Sequence, residues 1–187
     1  VVEGLHGVPF KRPLTRLRET VEIVKQAFAG EKINYEGSHH VLPLPGGEGK
    51  SLRLSQPANA EIPIWLATLG PNSLEYTGEV ADGWAGTSFL PSGASATIAH
   101  VRNGALKAQR DPDAIQYQAG GAVQFGDDLD QLLVPRRPGV AFTLGAMGSP
   151  STNFYNDAYR RGGFEEEAKL VQRLWVERER DKAIAAV

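Results

Sequence analysis

The chain has no cysteine among its 187 residues, which excludes disulfides and thiolate metal sites. No apolar run approaches the roughly 20 residues needed to cross a bilayer. The start, Val1-Val2-Glu3-Gly4, has neither the basic opening nor the apolar centre of a secretory signal. Positive charge is also not in excess: the formal net charge is −2, whereas a nucleic-acid binder usually carries a concentrated basic face. These absences fit a cytoplasmic protein that engages neither nucleic acid nor membrane. What is present is ordinary for a globular domain, with 41% hydrophobic and 22% charged residues. Glycine and proline, 21 and 12 residues, are plentiful and predict many short connections.

The first ten residues read as a loop. Pro13 then opens a helix whose stripe is Leu14, Leu17, Val21, Val24 and Phe28, with Gly30 as a left-handed C-terminal cap. Residues 31–61 read as irregular, because Pro43, Pro45, Gly46, Gly47 and Gly49 interrupt any regular element. The run Ile62 to Thr68 reads as a strand buried on both faces, as in a parallel sheet. A helix from Pro71 to about Glu79 follows, then a strand over 81–87. Ile98, Val101 and Ala105 mark a third helix, and 115–125 a third strand. Helices are predicted over 127–146 with breaks at Pro135 and Pro138, over 153–161, and over 164–186. Strands alternating with helices predict a parallel sheet. Three strands are too few for a closed eight-stranded barrel, which needs about 250 residues, so the residues alone fit either a small three-stranded α/β domain or part of something larger.

The stretch from Ala67 to Thr87 carries the chemistry. A buried strand ends at Thr68, a glycine bend follows, and a helix opens at Pro71 with Asn72 and Ser73 in its first turn. Free amides and the helix dipole at such a place attract an anion, and Gly70 permits close approach to the backbone. No lysine or arginine is near in sequence, so a phosphate there would rest on amides and hydroxyls. The same residues also make an ordinary turn and helix start, and the residues alone leave both readings open. Asp82 reads as a structural group at a strand start. Adjacent His39 and His40 read as solvated loop residues without a third ligand, so no metal site is expected.

Several segments resemble one family. They are EGLHGVPF at 3–10, PLTRLRETVEIV at 13–24, LPLPGGEGKSLRL at 42–54, IPIWLATLGPNSLEYTGEVADGW at 62–84, GAMGSPSTNFYN at 145–156 and GFEEEAKLVQRLW at 163–175. Together they resemble the luciferase-like monooxygenase superfamily, in its coenzyme F420-dependent oxidoreductase branch. The resemblance implies an α/β fold, a partial (β/α)8 TIM barrel covering roughly strands 5–7. On this reading residues 1–187 form a single incomplete barrel domain, lacking strands 1–4 and strand 8. It implies that Leu69, Gly70, Asn72 and Ser73 hold the phosphate side of the cofactor, that Glu3 helps to wall it, and that Thr87 faces the substrate. Leu90 stands where the sugar-phosphate dehydrogenases of the branch have a lysine, which argues against a phosphorylated sugar.

The reaction implied is hydride transfer between a small organic substrate and the deazaflavin ring. The family's acid and base groups sit mostly on the first three strands, so no catalytic residue is assigned here. The alternative cofactor is flavin mononucleotide, which presents a similar phosphate. A third reading is a non-catalytic remnant, inactive alone, whose open sheet edges drive aggregation or a homodimer.

Overall fold

In a computed structural model, residues 2–86, 90–121, 123–149 and 151–187 are described. The chain divides into two compact units, Val1–Pro63 and Ile64–Val187.

The first unit opens on α1 (Val2–His6), a short helix where the sequence suggested a loop. Helix α2 (Pro13–Phe28) has the predicted bounds: Pro13 occupies the first turn and Gly30, at φ +72°, reverses the chain. Of its apolar stripe only Val21 is buried; Leu14, Leu17, Val24 and Phe28 are half-buried. The segment read as irregular contains a small antiparallel hairpin, β1 (Tyr35–Glu36) with β2 (Val41–Leu42). Two-residue strands are too short for an alternating pattern to register.

What holds the hairpin tip is Glu19 of α2, 5% exposed. Its carboxylate accepts from the Ser38 amide and hydroxyl, both at 2.8 Å, and from the amides of His39 at 2.9 Å and His40 at 2.8 Å. The two histidines are thus part of a backbone clamp, and their rings are half-buried rather than solvated. A Cβ on Gly37 would fall 2.6 Å from the Glu19 carboxylate, so the clamp needs glycine there. Burial pushes the Glu19 carboxyl up, but the Ser38 hydroxyl and the three amides outweigh it and hold the pKa at about 2.

The second unit is an α/β run followed by helices. Strands β3 (Trp65–Leu66), β4 (Gly83–Gly86) and β5 (Gln116–Ala119) form a parallel sheet in that order, Trp65 opposite Gly83 and Gly83 opposite Gln116. All three are shorter than the runs read from sequence, and β5 is exposed along its length. Helices α3 (Pro71–Val80) and α4 (Ala94–Lys107) connect them and pack against each other. Their crossing is close because Gly78 and Gly104 carry no Cβ. An added one would lie 1.9 Å from the Val101 carbonyl oxygen or 1.8 Å from that of Glu75. Leu74, Trp84, Val101, Ala105 and Ile115 make the core beneath, each large side chain contributing roughly 1.5–3 kcal/mol. Asp82 takes the structural role expected of it, accepting from the Ile64 amide at 2.8 Å.

The remaining helices are α5 (Leu129–Leu133), α6 (Arg137–Ala146), α7 (Phe154–Arg161), α8 (Glu165–Val176) and α9 (Arg180–Ala185). Pro135 breaks the 127–146 segment as expected, in a 3-10 turn at Val134–Arg136, whereas Pro138 does not interrupt a helix but sits in the first turn of α6. The predicted single helix over 164–186 is instead two, separated by Arg178 at φ +66°. Ala141, Leu144, Ala168, Val171 and Ala183 form the second core. No helix among the described residues is long and apolar enough to cross a membrane.

Candidate functional site

Strand β3 lies beside β4, and its exit is fixed from below. Trp84, 2% exposed, donates its indole N–H to the Thr68 carbonyl at 2.8 Å. The Thr77 hydroxyl donates to the Ser73 carbonyl at 3.0 Å, so it receives the Thr68 hydroxyl proton at 2.7 Å. This buried relay ties the end of the strand to the first turns of α3. None of the three residues was singled out as a site residue from sequence. The Trp84 contact crosses between strands and leaves no local pattern.

The chain then bends. Gly70 is extended, at φ −77° and ψ 150°, and is the N-cap of α3. Its carbonyl accepts from the Leu74 amide and from the Ser73 hydroxyl, both at 2.9 Å. The Ser73 hydroxyl proton is therefore spent inside the turn. The backbone amides are not. Among the described residues Gly70, Asn72 and Ser73 donate their N–H groups to no protein acceptor, and Pro71 has none to donate. Such orphan donors, with the dipole of a ten-residue helix behind them, suit a phosphate. Space also suits: a Cβ on Gly70 would meet only the Ser73 hydroxyl oxygen, at 3.5 Å. Asn72 is exposed and Ser73 half-buried.

The structure adds a cation that sequence proximity did not offer. Arg161, 92 residues along the chain, donates Nη2–H to the Leu69 carbonyl at 2.6 Å. Its neighbour Arg160 is spent on Asp157 and Glu165, each at 3.4 Å. Arg161 has no carboxylate within ion-pair distance among the described residues. Burial lowers its pKa, opposed by nearby Asp157. The end of α7 is seated by a glycine pair: a Cβ on Gly93 would lie 2.6 Å from the Gly162 Cα.

Of the residues predicted from sequence, Leu69, Gly70, Asn72 and Ser73 thus occupy one turn. Glu3 belongs to the first unit, is exposed, and accepts from the Phe10 amide at 2.9 Å. Thr87 lies outside the described residues.

Comparison with known proteins decides the family. Residues 1–187 match the family described as luciferase-like monooxygenase. The chain belongs to that family. A Mycobacterium tuberculosis protein, named provisionally as a coenzyme F420-dependent oxidoreductase, is 34% identical over 191 residues, covering 98% of this chain and 55% of that protein. The 5,10-methylenetetrahydromethanopterin reductase of Archaeoglobus fulgidus is 28% identical over 162 residues, 87% of this chain and 44% of the reductase. The F420-dependent glucose-6-phosphate dehydrogenase of Mycolicibacterium smegmatis is 30% identical over 126 residues, 66% of this chain and 35% of the dehydrogenase. The chain thus spans about half the length, or less, of these relatives. The solved F420-dependent tetrahydromethanopterin reductase of Methanopyrus kandleri superposes with a TM-score of 0.67 at 22% identity, over 94% of this chain and 47% of the reductase. The fold is therefore α/β, a partial barrel of the luciferase-like type.

Proposed function

We propose that this chain forms the phosphate side of the cofactor site in a coenzyme F420-dependent oxidoreductase acting on a small organic substrate. One observation carries the binding part: the amides of Gly70, Asn72 and Ser73, which have no protein acceptor among the described residues, stand at the carboxyl end of a parallel strand where a helix begins. Ligands of α/β proteins gather at that end of the sheet. The identity of the cofactor is supported by the F420-dependent relatives.

The bound deazaflavin would supply the hydride chemistry. The chain's own groups bind and orient. The Gly70, Asn72 and Ser73 amides would donate to the phosphate, and the Ser73 hydroxyl braces the Gly70 carbonyl so that the turn keeps its shape. Trp84 and the Thr68–Thr77 relay hold the strand end from which the turn departs. Thr87 is assigned to the substrate side. No acid or base is assigned within these residues, and the chain alone is expected to be inactive.

Titration with F420 and with flavin mononucleotide, followed by ligand fluorescence, tests the assignment. Saturable F420 binding with much weaker flavin binding is expected. Tight flavin binding without F420 binding overturns the choice of cofactor. Ser73→Ala removes one hydrogen bond from the turn, and F420 affinity should fall about fivefold, near 1 kcal/mol.

A further inference from the structure

We infer that Arg161 is a positioning residue for the cofactor turn, acting through the Leu69–Gly70 peptide. The inference rests on the phosphate reading of that turn and adds a residue to it.

In a trans peptide the carbonyl and the following N–H point in opposite directions. The carbonyl of Leu69 and the N–H of Gly70 belong to one such peptide. Arg161 grips the carbonyl at 2.6 Å. The Gly70 N–H therefore faces away from Arg161, towards the side on which a Cβ would find only the Ser73 hydroxyl. Without that grip the peptide is held, among the described residues, only through Thr68 before it and the Gly70 carbonyl after it. Rotation of this one plane would withdraw one of the three donors from a phosphate.

Two further features suit Arg161 to the task. It has no carboxylate partner among the described residues to compete for it, unlike Arg160. Its backbone is also fixed. Gly162 lies against Gly93, where a Cβ would fall 2.8 Å from the Gly162 carbonyl oxygen. The guanidinium is thus delivered from a docked helix end, and such preorganisation keeps binding groups in place at low cost.

The test uses two ligands that differ only in the phosphate: 5-deazariboflavin and its 5′-phosphate. Affinities are measured for the unchanged chain, R161M and R161K, at low salt and near 1 M salt, with melting curves to confirm folding. The unchanged chain should prefer the phosphorylated ligand. R161M should lose about tenfold for it, the scale of one charge-assisted hydrogen bond, while its affinity for 5-deazariboflavin stays within about twofold. The loss should persist near 1 M salt, where the screening length is about 3 Å and a distant charge no longer acts. R161K, which keeps a donor and the charge, should recover part of it.

Equal losses for both ligands would reduce Arg161 to architecture and overturn the inference. A loss that vanishes in high salt would reassign it to long-range charge, and an R161M chain that binds as before removes it from the site. If the unchanged chain shows no preference for the phosphate, the phosphate reading fails, and this inference falls with it.

Discussion

At the scale of single residues, the strongest local commitment is Glu19. Its carboxyl sits at about 2 against an ordinary 4.5. A depressed folded value means that the ionised form stabilises the fold above about pH 4.5, and that this contribution drains away as pH falls towards 2. Glu19→Gln should therefore lower the thermal midpoint near neutral pH, and the gap from the unchanged chain should close on acidification. A melting series from pH 7 to below 3 checks this; a gap independent of pH would contradict the clamp. The sequence offered little warning of it. Glu19 falls outside the apolar stripe of α2, and its partners at 38–40 lie in a segment legible only as irregular. By contrast the 69–73 turn was legible, because a buried run, a glycine and a helix-opening proline occur in succession. Arg161 was not, since its partner is 92 residues away.

Among the elements, the helices were read better than the strands. Pro13 and Pro71 each open a helix where expected, and the α4 stripe buries Val101 and Ala105. Strands of two to four residues give periodicity too little length, and β5 shows no buried face at all. The break at 177–179 was missed because the apolar pattern continues from Val171 and Trp175 to Ala183. Two substitutions test how α3 and α4 are joined. Gly104→Ala places a methyl 1.8 Å from the Glu75 carbonyl oxygen. Overpacking of this kind costs about 1–3 kcal/mol, read as a lower urea midpoint. Arg110 donates to the carbonyls of Gly78 at 2.6 Å and Ala81 at 2.8 Å, capping the end of α3. Arg110→Met should cost about 2 kcal/mol by the same measurement, and an unchanged midpoint would show that solvent replaces the cap.

For the molecule as a whole, the two units are unequal. Every buried apolar residue described, apart from Val21, lies in Ile64–Val187. Burial of apolar surface dominates folding free energy, so the segment 64–187 should melt cooperatively when prepared alone, and the segment 1–63 should not. Circular dichroism of the two segments decides it; a cooperative transition in 1–63 alone would contradict this account. Family membership extends over both units, since residues 1–187 all match. The larger unit holds the proposed phosphate site, the first-turn amides of α3. The most direct measurement is a nitrogen-15 NMR titration of the chain with F420, following each backbone amide. The Gly70, Asn72 and Ser73 resonances should move saturably with the bound fraction. Saturable binding that leaves those three unmoved, or no binding at all, would contradict it.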